Sequence, residues 1–335
     1  MKNIYLITGA AGHLGNTILR KLADKGEPTR ALVLPADAHA PQVACATRVF
    51  AGDLCDPSSI EEAFAVGADE RLIVLHCAGI VTIASKYQQA VYDVNVTGTR
   101  NVIALCERHG ASRLVYVSSV HALPELPKGE TSREIKHFDP QAVSGLYAQT
   151  KAEATQAVLD AAARGLSASV VQPSGICGPF DYGHGHLTQL VTDFYERRLT
   201  AGLNGGFDFV DVRDVADGVI ACAEKGRAGE CYLLTGEYQT IPQVLESLHQ
   251  ITGRKRVRTI LPLGFVKLVA PLAELYYKVL RQTPLFTAYS IETLETNAVF
   301  SCEKAARELG YTHRPFRDTL ADTVDWLRQQ GRLKE

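Results

Sequence analysis

A tyrosine and a lysine four residues apart, Tyr147 and Lys151, are the pair in this sequence whose types and spacing most directly suggest chemistry. Only one of the 13 tyrosines has a lysine at that offset. Residues 145–154 are rich in Ala, Gln, Lys and Glu and favour a helix, on which positions i and i+4 share a face. A nearby ammonium lowers a tyrosine pKa from its usual value of about 10, so the pair could transfer protons near neutral pH. The alternative is an aromatic and a charge that merely share a helix surface.

The elements that must position this pair alternate along the first half of the chain. Short apolar segments predict strands at residues 3–8, 30–34, 47–52, 71–77, 113–119 and 167–173. Intervening segments predict helices at residues 13–26, about 58–66, 86–109 and 145–165. Such repeats predict an α/β fold, a Rossmann-type doubly wound parallel sheet that binds ligands beyond the carboxyl ends of its strands.

A glycine-rich turn follows the first predicted strand. Its sequence is Gly9-Ala10-Ala11-Gly12-His13-Leu14-Gly15. Glycines let the backbone approach a pyrophosphate, which then rests on the amides at the start of the next helix. A turn that only makes room for helix packing is the alternative, but its place after the first strand of a strand–helix series favours a nucleotide site. The spacing GxxGxxG differs from the commoner GxGxxG.

The composition narrows the functional classes. The 335 residues are 46% hydrophobic and 21% charged, as in ordinary globular proteins, and the formal net charge of -2 gives no reason to expect a nucleic-acid partner. The eight cysteines are dispersed without a CxxC motif, which favours reduced thiols in a cytoplasmic protein over disulfides or a zinc site. The strand-like start leaves no room for a signal peptide, and no apolar run suits a conventional membrane span.

The glycine spacing, together with Tyr147 and Lys151, resembles the short-chain dehydrogenase/reductase superfamily. The length resembles that of its extended branch, and within this branch the chain is most similar to the dihydroflavonol 4-reductase and 3β-hydroxysteroid dehydrogenase group. Further segments carry the resemblance, namely residues 52–54, 76–79, 95–103, 173–179, 209–219 and 300–311. The resemblance implies a dinucleotide-binding domain of residues 1–173 plus about 209–235. It also implies an interleaved substrate-binding lobe of about 174–208 plus 236–335.

The resemblance also implies the catalytic roles. Tyr147 would give a proton to a carbonyl oxygen as hydride leaves the nicotinamide, or take one from an alcohol in the reverse direction. Lys151 would also hydrogen-bond the nicotinamide ribose. Ser119 would orient the substrate oxygen, with Ser118 as the second choice, although either serine could simply cap a helix or a strand end. Asn95 would hold a water relay to Lys151, or else cap the helix that it begins.

The cofactor implied is NAD(P). The residues expected to contact it are Gly9, Gly12, His13, Leu14, Gly15, Leu34, Asp53, Leu54, Cys77, Ala78, Gly79, Lys151, Pro173, Ser174 and Gly175. Leu34 stands at the end of the second strand, where an acid selects NAD and an arginine accommodates NADP. Asp37 lies further into the loop and Arg30 at the other end of the strand. Because no acid there repels a 2′-phosphate, we expect NADP to be preferred.

The substrate is expected to be a small hydrophobic molecule, such as a steroid- or flavonoid-like alcohol or ketone. Residues 260–280 form the most apolar stretch, and residues 262–280 and 284–294 are rich in aliphatic and aromatic side chains and poor in Arg and Lys. The first of these segments could form core, a lid or a contact with a membrane surface. His121 and His184 are candidate substrate contacts. His184 and His186 form an HxH pair, but no third ligand is nearby, so no metal is expected.

Two other functions compete with this prediction. A nucleotide-sugar epimerase or dehydratase would share the Tyr–Lys pair, and Arg213 or the basic run at residues 254–256 could reach its diphosphate. Such dehydratases usually carry acidic residues directly after the active serine or threonine, where this chain has Val120 and His121. A non-catalytic dinucleotide sensor would usually lack the Tyr–Lys pair. A homodimer stays open as a subunit arrangement.

Overall fold

The computed structural model describes residues 1–37, 39–82, 87–264 and 297–333, and its centre is a sheet of seven parallel strands. These strands are β1 (Lys2–Thr8), β2 (Thr29–Val33), β3 (Arg48–Ala51), β4 (Glu70–His76), β5 (Arg113–Val117), β6 (Ala168–Pro173) and β10 (Cys231–Leu234). The strands numbered between β6 and β10 belong to smaller sheets. The spatial order β3-β2-β1-β4-β5-β6-β10 reverses between β1 and β4, which confirms the predicted doubly wound fold.

Helices and short helical turns connect these strands. The described α-helices are α1 (His13–Asp24), α2 (Pro57–Ile60), α3 (Gln89–Tyr92), α4 (Gly98–Arg108), α5 (Leu146–Ala163), α6 (His186–Tyr195), α7 (Val212–Lys225), α8 (Ile241–Thr252), α9 (Glu303–Leu309) and α10 (Phe316–Gln329). Turns of 3₁₀ helix lie at Ala40–Val43, Glu61–Phe64, Val120–Ala122 and Pro140–Ala142, and a π-helical turn lies at Asp93–Thr97. The predicted helix at 86–109 is therefore interrupted by one π turn, a feature frequent at functional sites.

Two hydrophobic cores cover the two faces of the large sheet. Leu6 of β1 packs in a core with residues of α2, α4 and α5, whereas its neighbour Ile7 packs in a core with α1, α7 and α9. The same alternation recurs in β5, where Leu114 and Val115 belong to opposite cores. Side chains alternate along a strand, so apolar residues at successive positions bury both faces. The continuous apolar runs in the sequence reflect this double burial.

A smaller part of the structure lies beyond the carboxyl edge of the sheet. It contains β7 (Gly175–Cys177), β9 (Gly206–Asp211) and β11 (Glu237–Thr240) in one sheet, and β8 (Gly202–Leu203) and β12 (Ile260–Leu261) in another. A third core packs α6, α8 and α10 together. The helix α8 begins with a capping box, in which Thr240 and Gln243 each bond the other's backbone N–H.

The long apolar stretch predicted for this region is described only in part. Of residues 260–280 and 284–294, all after residue 264 lie outside the described residues. Among the helices that the structure does describe, none combines the length and apolar character needed to cross a membrane.

A buried arginine lies at the amino edge of the large sheet. Arg113, the first residue of β5, is 7% exposed. Its Nη2 donates to Ser169 Oγ at 2.6 Å, to the carbonyl of Cys222 at 3.0 Å and to that of Gly226 at 2.6 Å. The guanidinium thus ties β5 to β6 and to the end of α7, and no carboxylate lies against it in the described part of the chain.

Candidate active site

The glycine turn between β1 and α1 is packed too tightly for side chains at two of its glycines. Gly9 has a φ of 64°, and a Cβ on it would lie 2.7 Å from Ala78 Cα. A Cβ on Gly15 would lie 2.2 Å from the carbonyl oxygen of Gly9. Gly12 is the N-cap of α1 and offers no side-chain cap, and the first turn contains no acid, so the amides of that turn are available for an anion. These features fit a dinucleotide pyrophosphate.

The smaller part of the structure holds the first turn of α1 in place through a hydrogen bond. His13 Nε2 donates to the carbonyl of Pro179 at 2.9 Å, because a carbonyl can only accept. Burial lowers the pKa of His13, so the ring contributes a neutral N–H. Leu14 is buried in the core beneath the turn.

The segment after β4 lies between the glycine turn and α5. Its members are Cys77, Ala78 and Gly79. The N–H of Ala78 donates to Thr8 Oγ1 at 3.2 Å, and a Cβ on Gly79 would lie 3.3 Å from Lys151 Nζ. Burial raises the pKa of Cys77 to about 12, so its thiol stays protonated. A dinucleotide on the glycine turn could therefore contact the backbone of Gly79, beside Lys151, because no side chain is present there.

The other residues expected at the cofactor lie along the same carboxyl edge. Leu34 directly follows β2 and is 55% exposed. Asp53 Oδ1 accepts from the N–H of Cys55 at 2.9 Å, which fixes the turn after β3, and the adjoining Leu54 is buried. Pro173 ends β6, Ser174 is buried, and Gly175 begins β7. Arg30 instead donates to the carbonyls of residues 63 and 65, away from this edge.

The helix α5 presents Tyr147 and Lys151 to the same edge, and both side chains are buried. Lys151 Nζ donates to the carbonyl of Val117 at 2.8 Å and lies 3.4 Å from Tyr116 Oη. Burial lowers the pKa of Lys151 to about 8. Burial also raises the pKa of Tyr116, so that phenol remains protonated. Lys151 is thus held at the end of β5, one helical turn from Tyr147.

The two serines after β5 have different surroundings. Ser118 Oγ lies 2.6 Å from Thr155 Oγ1, which itself donates to the carbonyl of Lys151. Ser118 must therefore be the donor, and its hydroxyl is committed to α5. Ser119 Oγ accepts from the N–H of His121 at 3.2 Å, and this bond leaves its own proton available. Of the pair, Ser119 has the hydroxyl that could donate to a ligand.

Asn95 lies within the π turn rather than at the start of a helix, so it does not cap one. Its Oδ1 accepts from the N–H of Ile80 at 2.7 Å, and its Nδ2 donates to the carbonyl of Ile80 at 3.0 Å and to Thr150 Oγ1 at 3.1 Å. Thr150 Oγ1 in turn donates to the carbonyl of Tyr147 at 2.9 Å. Asn95 therefore links the segment after β4 to the helix that carries the tyrosine.

A cavity opens beside Tyr147. His121 separates the two, with its ring edge-on to Tyr147 at 6.0 Å and stacked on Phe207 at 5.3 Å. Burial lowers the pKa of His121 to about 4, so the imidazole is neutral at physiological pH. The described residues that line the cavity are Val120, His121, Leu123, Pro124, Glu125, Ser132, Ala142, Val143, Ser144, Ala148, Phe207, Asn297 and Phe300. The walls are mainly apolar.

Sequence reasoning missed much of this wall. Phe207 of β9, Asn297 and Phe300 come from segments far from the Tyr–Lys motif, and the sequence did not predict any of them as a substrate contact. His76 lies in the 76–79 segment that carries the family resemblance, but the sequence predicted no role for its side chain. His184, by contrast, is exposed in the loop before α6, and His186 is the first residue of that helix. Neither is among the described residues of the cavity wall, and no group of metal-binding side chains occurs in the described ranges.

Comparison with known proteins gives matches along the whole chain. Residues 5–234 match the NAD dependent epimerase/dehydratase family. The chain is 35% identical to sterol demethylase protein B of Methylococcus capsulatus, over 98% of this chain and 99% of that protein. It is 29% identical to a 4-hydroxy-2-methyl-3-oxo-4-farnesyl-3,4-dihydroquinoline-1-oxide ketoreductase of Stigmatella aurantiaca, over 97% and 96% of the two chains. The crystal structure of gox2253 has a TM-score of 0.85 and 30% identity, over 99% of each chain.

Proposed function

Because this chain belongs to the NAD dependent epimerase/dehydratase family, the extended short-chain dehydrogenases/reductases, we propose that it interconverts a hydroxyl and a carbonyl group on a bulky hydrophobic molecule. Its membership makes it an NAD(P)-dependent oxidoreductase. The proposed substrate is steroid- or flavonoid-like. The observation that carries this choice is the cavity beside Tyr147, where eight of the 13 described lining residues are apolar and the stacked rings of His121 and Phe207 form part of the wall.

In the proposed reaction, the bound nicotinamide supplies or accepts the hydride. Ser119 donates to the substrate oxygen and orients it, and Tyr147 exchanges the proton with that oxygen. Lys151, held by Val117, favours the phenolate through its charge and binds the nicotinamide ribose. Asn95 fixes the segment after β4 against α5 and so keeps these groups in register. We assign the dinucleotide to residues 1–173 plus about 209–235, and the substrate to the remaining lobe.

The charges around the cavity support a hydrophobic substrate over a nucleotide sugar. A diphosphate is usually held by Arg or Lys, and the described wall contains neither; its one charged residue is the acid Glu125. Arg213 is engaged by Asp211 and Asp322, each at 2.6 Å. Arg254 stacks on the ring of Tyr195 at 4.2 Å. The names of two relatives, a sterol demethylase protein and a ketoreductase of a farnesylated ketone, agree with this choice.

For the cofactor we propose a preference for NADP. The exposed Leu34 at the end of β2 offers no carboxylate to bind a ribose 2′-hydroxyl or to repel a 2′-phosphate. We expect the dissociation constant of NADP to be lower than that of NAD, as measured by titration calorimetry on the purified protein. Tighter binding of NAD would contradict the preference and leave the rest of the proposal intact.

The substrate proposal is tested by following nicotinamide absorbance with steroid and flavonoid ketones and alcohols, beside UDP- and dTDP-sugars. We expect turnover of at least one hydrophobic compound, and no epimerisation of UDP-sugars. Efficient turnover of a UDP-sugar together with no activity on any hydrophobic ketone or alcohol would overturn the proposal. A non-catalytic sensor would bind the dinucleotide and turn over nothing.

A further inference from the structure

A buried histidine that the proposed reaction does not use lies at the centre of the carboxyl edge. His76 is the last residue of β4, with Thr8 of β1 and Tyr116 of β5 as its neighbours across the sheet. Its side chain has no exposed surface. Burial and the charge of Lys151 lower the pKa of His76 to about 3, so the ring is neutral.

The partners of this ring permit only one tautomer. Thr99 Oγ1 donates to the carbonyl of Asn95 at 2.7 Å, so toward His76 Nε2, 3.0 Å away, it can only accept. Nε2 therefore carries the proton. Nδ1 is then a bare acceptor, and it receives the hydroxyl proton of Thr8 at 2.7 Å. Thr8 Oγ1 in its turn accepts from the N–H of Ala78 at 3.2 Å. The hydrogen bonds in this series all donate in the same direction, from Ala78 toward the carbonyl of Asn95.

The two ends of this hydrogen-bonded series lie in different parts of the site. At one end, Thr8 and Ala78 border the glycine turn, where a Cβ on Gly9 would lie 2.7 Å from Ala78 Cα. A shift of Ala78 would therefore change the floor of the dinucleotide site. At the other end, Thr99 holds the carbonyl of Asn95 in the π turn, and Asn95 is bonded through Thr150 to the backbone of Tyr147.

We propose that His76 is a positioning residue for both the dinucleotide turn and the proton-transfer helix, with Nδ1 holding the first and Nε2–H holding the second. This rests on the proposed function only for its second half, since dinucleotide binding can be measured without any substrate. A histidine that only satisfied hydrogen-bonding groups inside the sheet would affect stability alone. Its two nitrogens would then have no separable effects on binding and turnover.

Two substitutions separate the two nitrogens. The amide oxygen of His76→Asn lies near the position of Nδ1 and can still accept from Thr8, but it leaves Thr99 without its donor. The amide nitrogen of His76→Gln lies near the position of Nε2 and can still donate to Thr99, but it leaves Thr8 without its acceptor. Thr8→Val and Thr99→Val remove the same two bonds from the other side while keeping the side-chain shape; they also remove the bond from Ala78 to Thr8 and the bond from Thr99 to Asn95. Thr8→Ser and Thr99→Ser restore each hydroxyl and are the matched controls.

The measurements are the dissociation constant of NADPH, kcat with the ketone found in the substrate panel, and the melting temperature. We expect His76→Gln and Thr8→Val to weaken NADPH binding at least tenfold, and His76→Asn and Thr99→Val to weaken it less than threefold. We expect His76→Asn and Thr99→Val to lower kcat at least tenfold at saturating NADPH, with recovery in the serine variants. The threonine variants decide the question if the histidine variants do not fold.

Equal effects of Thr8→Val and Thr99→Val on NADPH binding, or changes that follow melting temperature alone, would overturn the inference. If the wild type binds NADPH but turns over no hydrophobic ketone, the proposed function fails. The binding measurements then still decide the role of His76.

Discussion

The proton-transfer face of α5 and the cavity beside it are built in contrasting ways. On the helix face, Lys151, Thr150 and Thr155 are fixed by directional hydrogen bonds to strand ends and to one another. In the cavity, His121, Phe207 and Phe300 come from distant segments and meet through ring contacts. Hydrogen bonds demand particular distances and angles, whereas apolar contacts tolerate adjustment. We therefore expect changes on the helix face to lower kcat and changes in the cavity to raise KM.

The sharpest test of this contrast is Tyr147→Phe. Removing the transferable proton should lower kcat by about 10³-fold or more, within the range known for general acid–base groups, while NADPH binds as before. Stopped-flow or steady-state absorbance measures turnover, and titration calorimetry measures binding. Tyr232→Phe is the matched control, because it removes a hydroxyl that donates to Glu308 at 3.0 Å and accepts from the N–H of Arg227, next to Gly226 at the amino edge, so it should lower the melting temperature and spare turnover. Retention of most activity in Tyr147→Phe would exclude the proposed acid.

Lys151→Met tests whether burying the charge of Lys151 on this helix face lowers the stability of the folded protein. Below pH 8 the lysine is charged in both the folded and the unfolded chain, so its burial should cost on the order of 3 kcal/mol there. Between pH 8 and 10.5 the folded state loses the proton first, so the wild type should gain stability as pH rises. The variant should thus melt higher than the wild type at pH 7, and the gap should shrink toward pH 10.5.

Thermal unfolding monitored by circular dichroism across that pH range measures the gap. Lys25→Met, at an exposed position directly after α1, is the matched control for replacing a lysine by methionine. A lower melting temperature for Lys151→Met at pH 7 would mean that the bond to Val117 outweighs the burial of the charge.

Ser118 and Ser119 are adjacent, and their alanine variants test whether a hydroxyl that faces the substrate affects turnover more than one that is bonded within the protein. Ser119→Ala should lower kcat by about 10²-fold, because it removes the proposed donor to the substrate oxygen. Ser118→Ala should lower kcat only a few-fold and instead reduce stability, since Ser118 bonds Thr155 inside the core. Parallel kinetics and melting curves on the two variants measure both effects. The reverse ranking would move the orienting role to Ser118.

The smallest expected effect belongs to the cavity. Phe207→Ala should raise KM for the hydrophobic substrate about tenfold, with little change in kcat, because it removes apolar contact that the substrate makes throughout the reaction. The dissociation constant of NADPH should not change. Tyr238→Ala removes an exposed aromatic and is a control for loss of a ring on the surface. A large fall in kcat for Phe207→Ala would show that the cavity also orients the reacting groups.

The same contrast explains what could be predicted from the sequence. Six of the seven strands of the large sheet followed from apolar periodicity, and the pairing of Tyr147 with Lys151 followed from helical spacing, because both are local patterns. The seventh strand, β10, was not predicted. The π turn around Asn95 and the single tautomer of His76 could not be predicted, since they depend on bonds between β1, β4, α4 and α5. The position of Phe207 against His121 depends on the tertiary packing of a later strand, and no local pattern in the sequence predicts that contact.

The position of Arg113 affects how the substrate of this protein can change during evolution. Its guanidinium joins β5, β6 and α7 at the amino edge. Since Arg113 and Val117 are the first and last residues of β5, roughly 13 Å of strand separates Arg113 from the carboxyl end that carries the chemistry. Mutations in the loops of the carboxyl edge leave that clamp untouched. A lineage can therefore replace wall residues such as Phe300 and acquire new substrates while the sheet continues to fold.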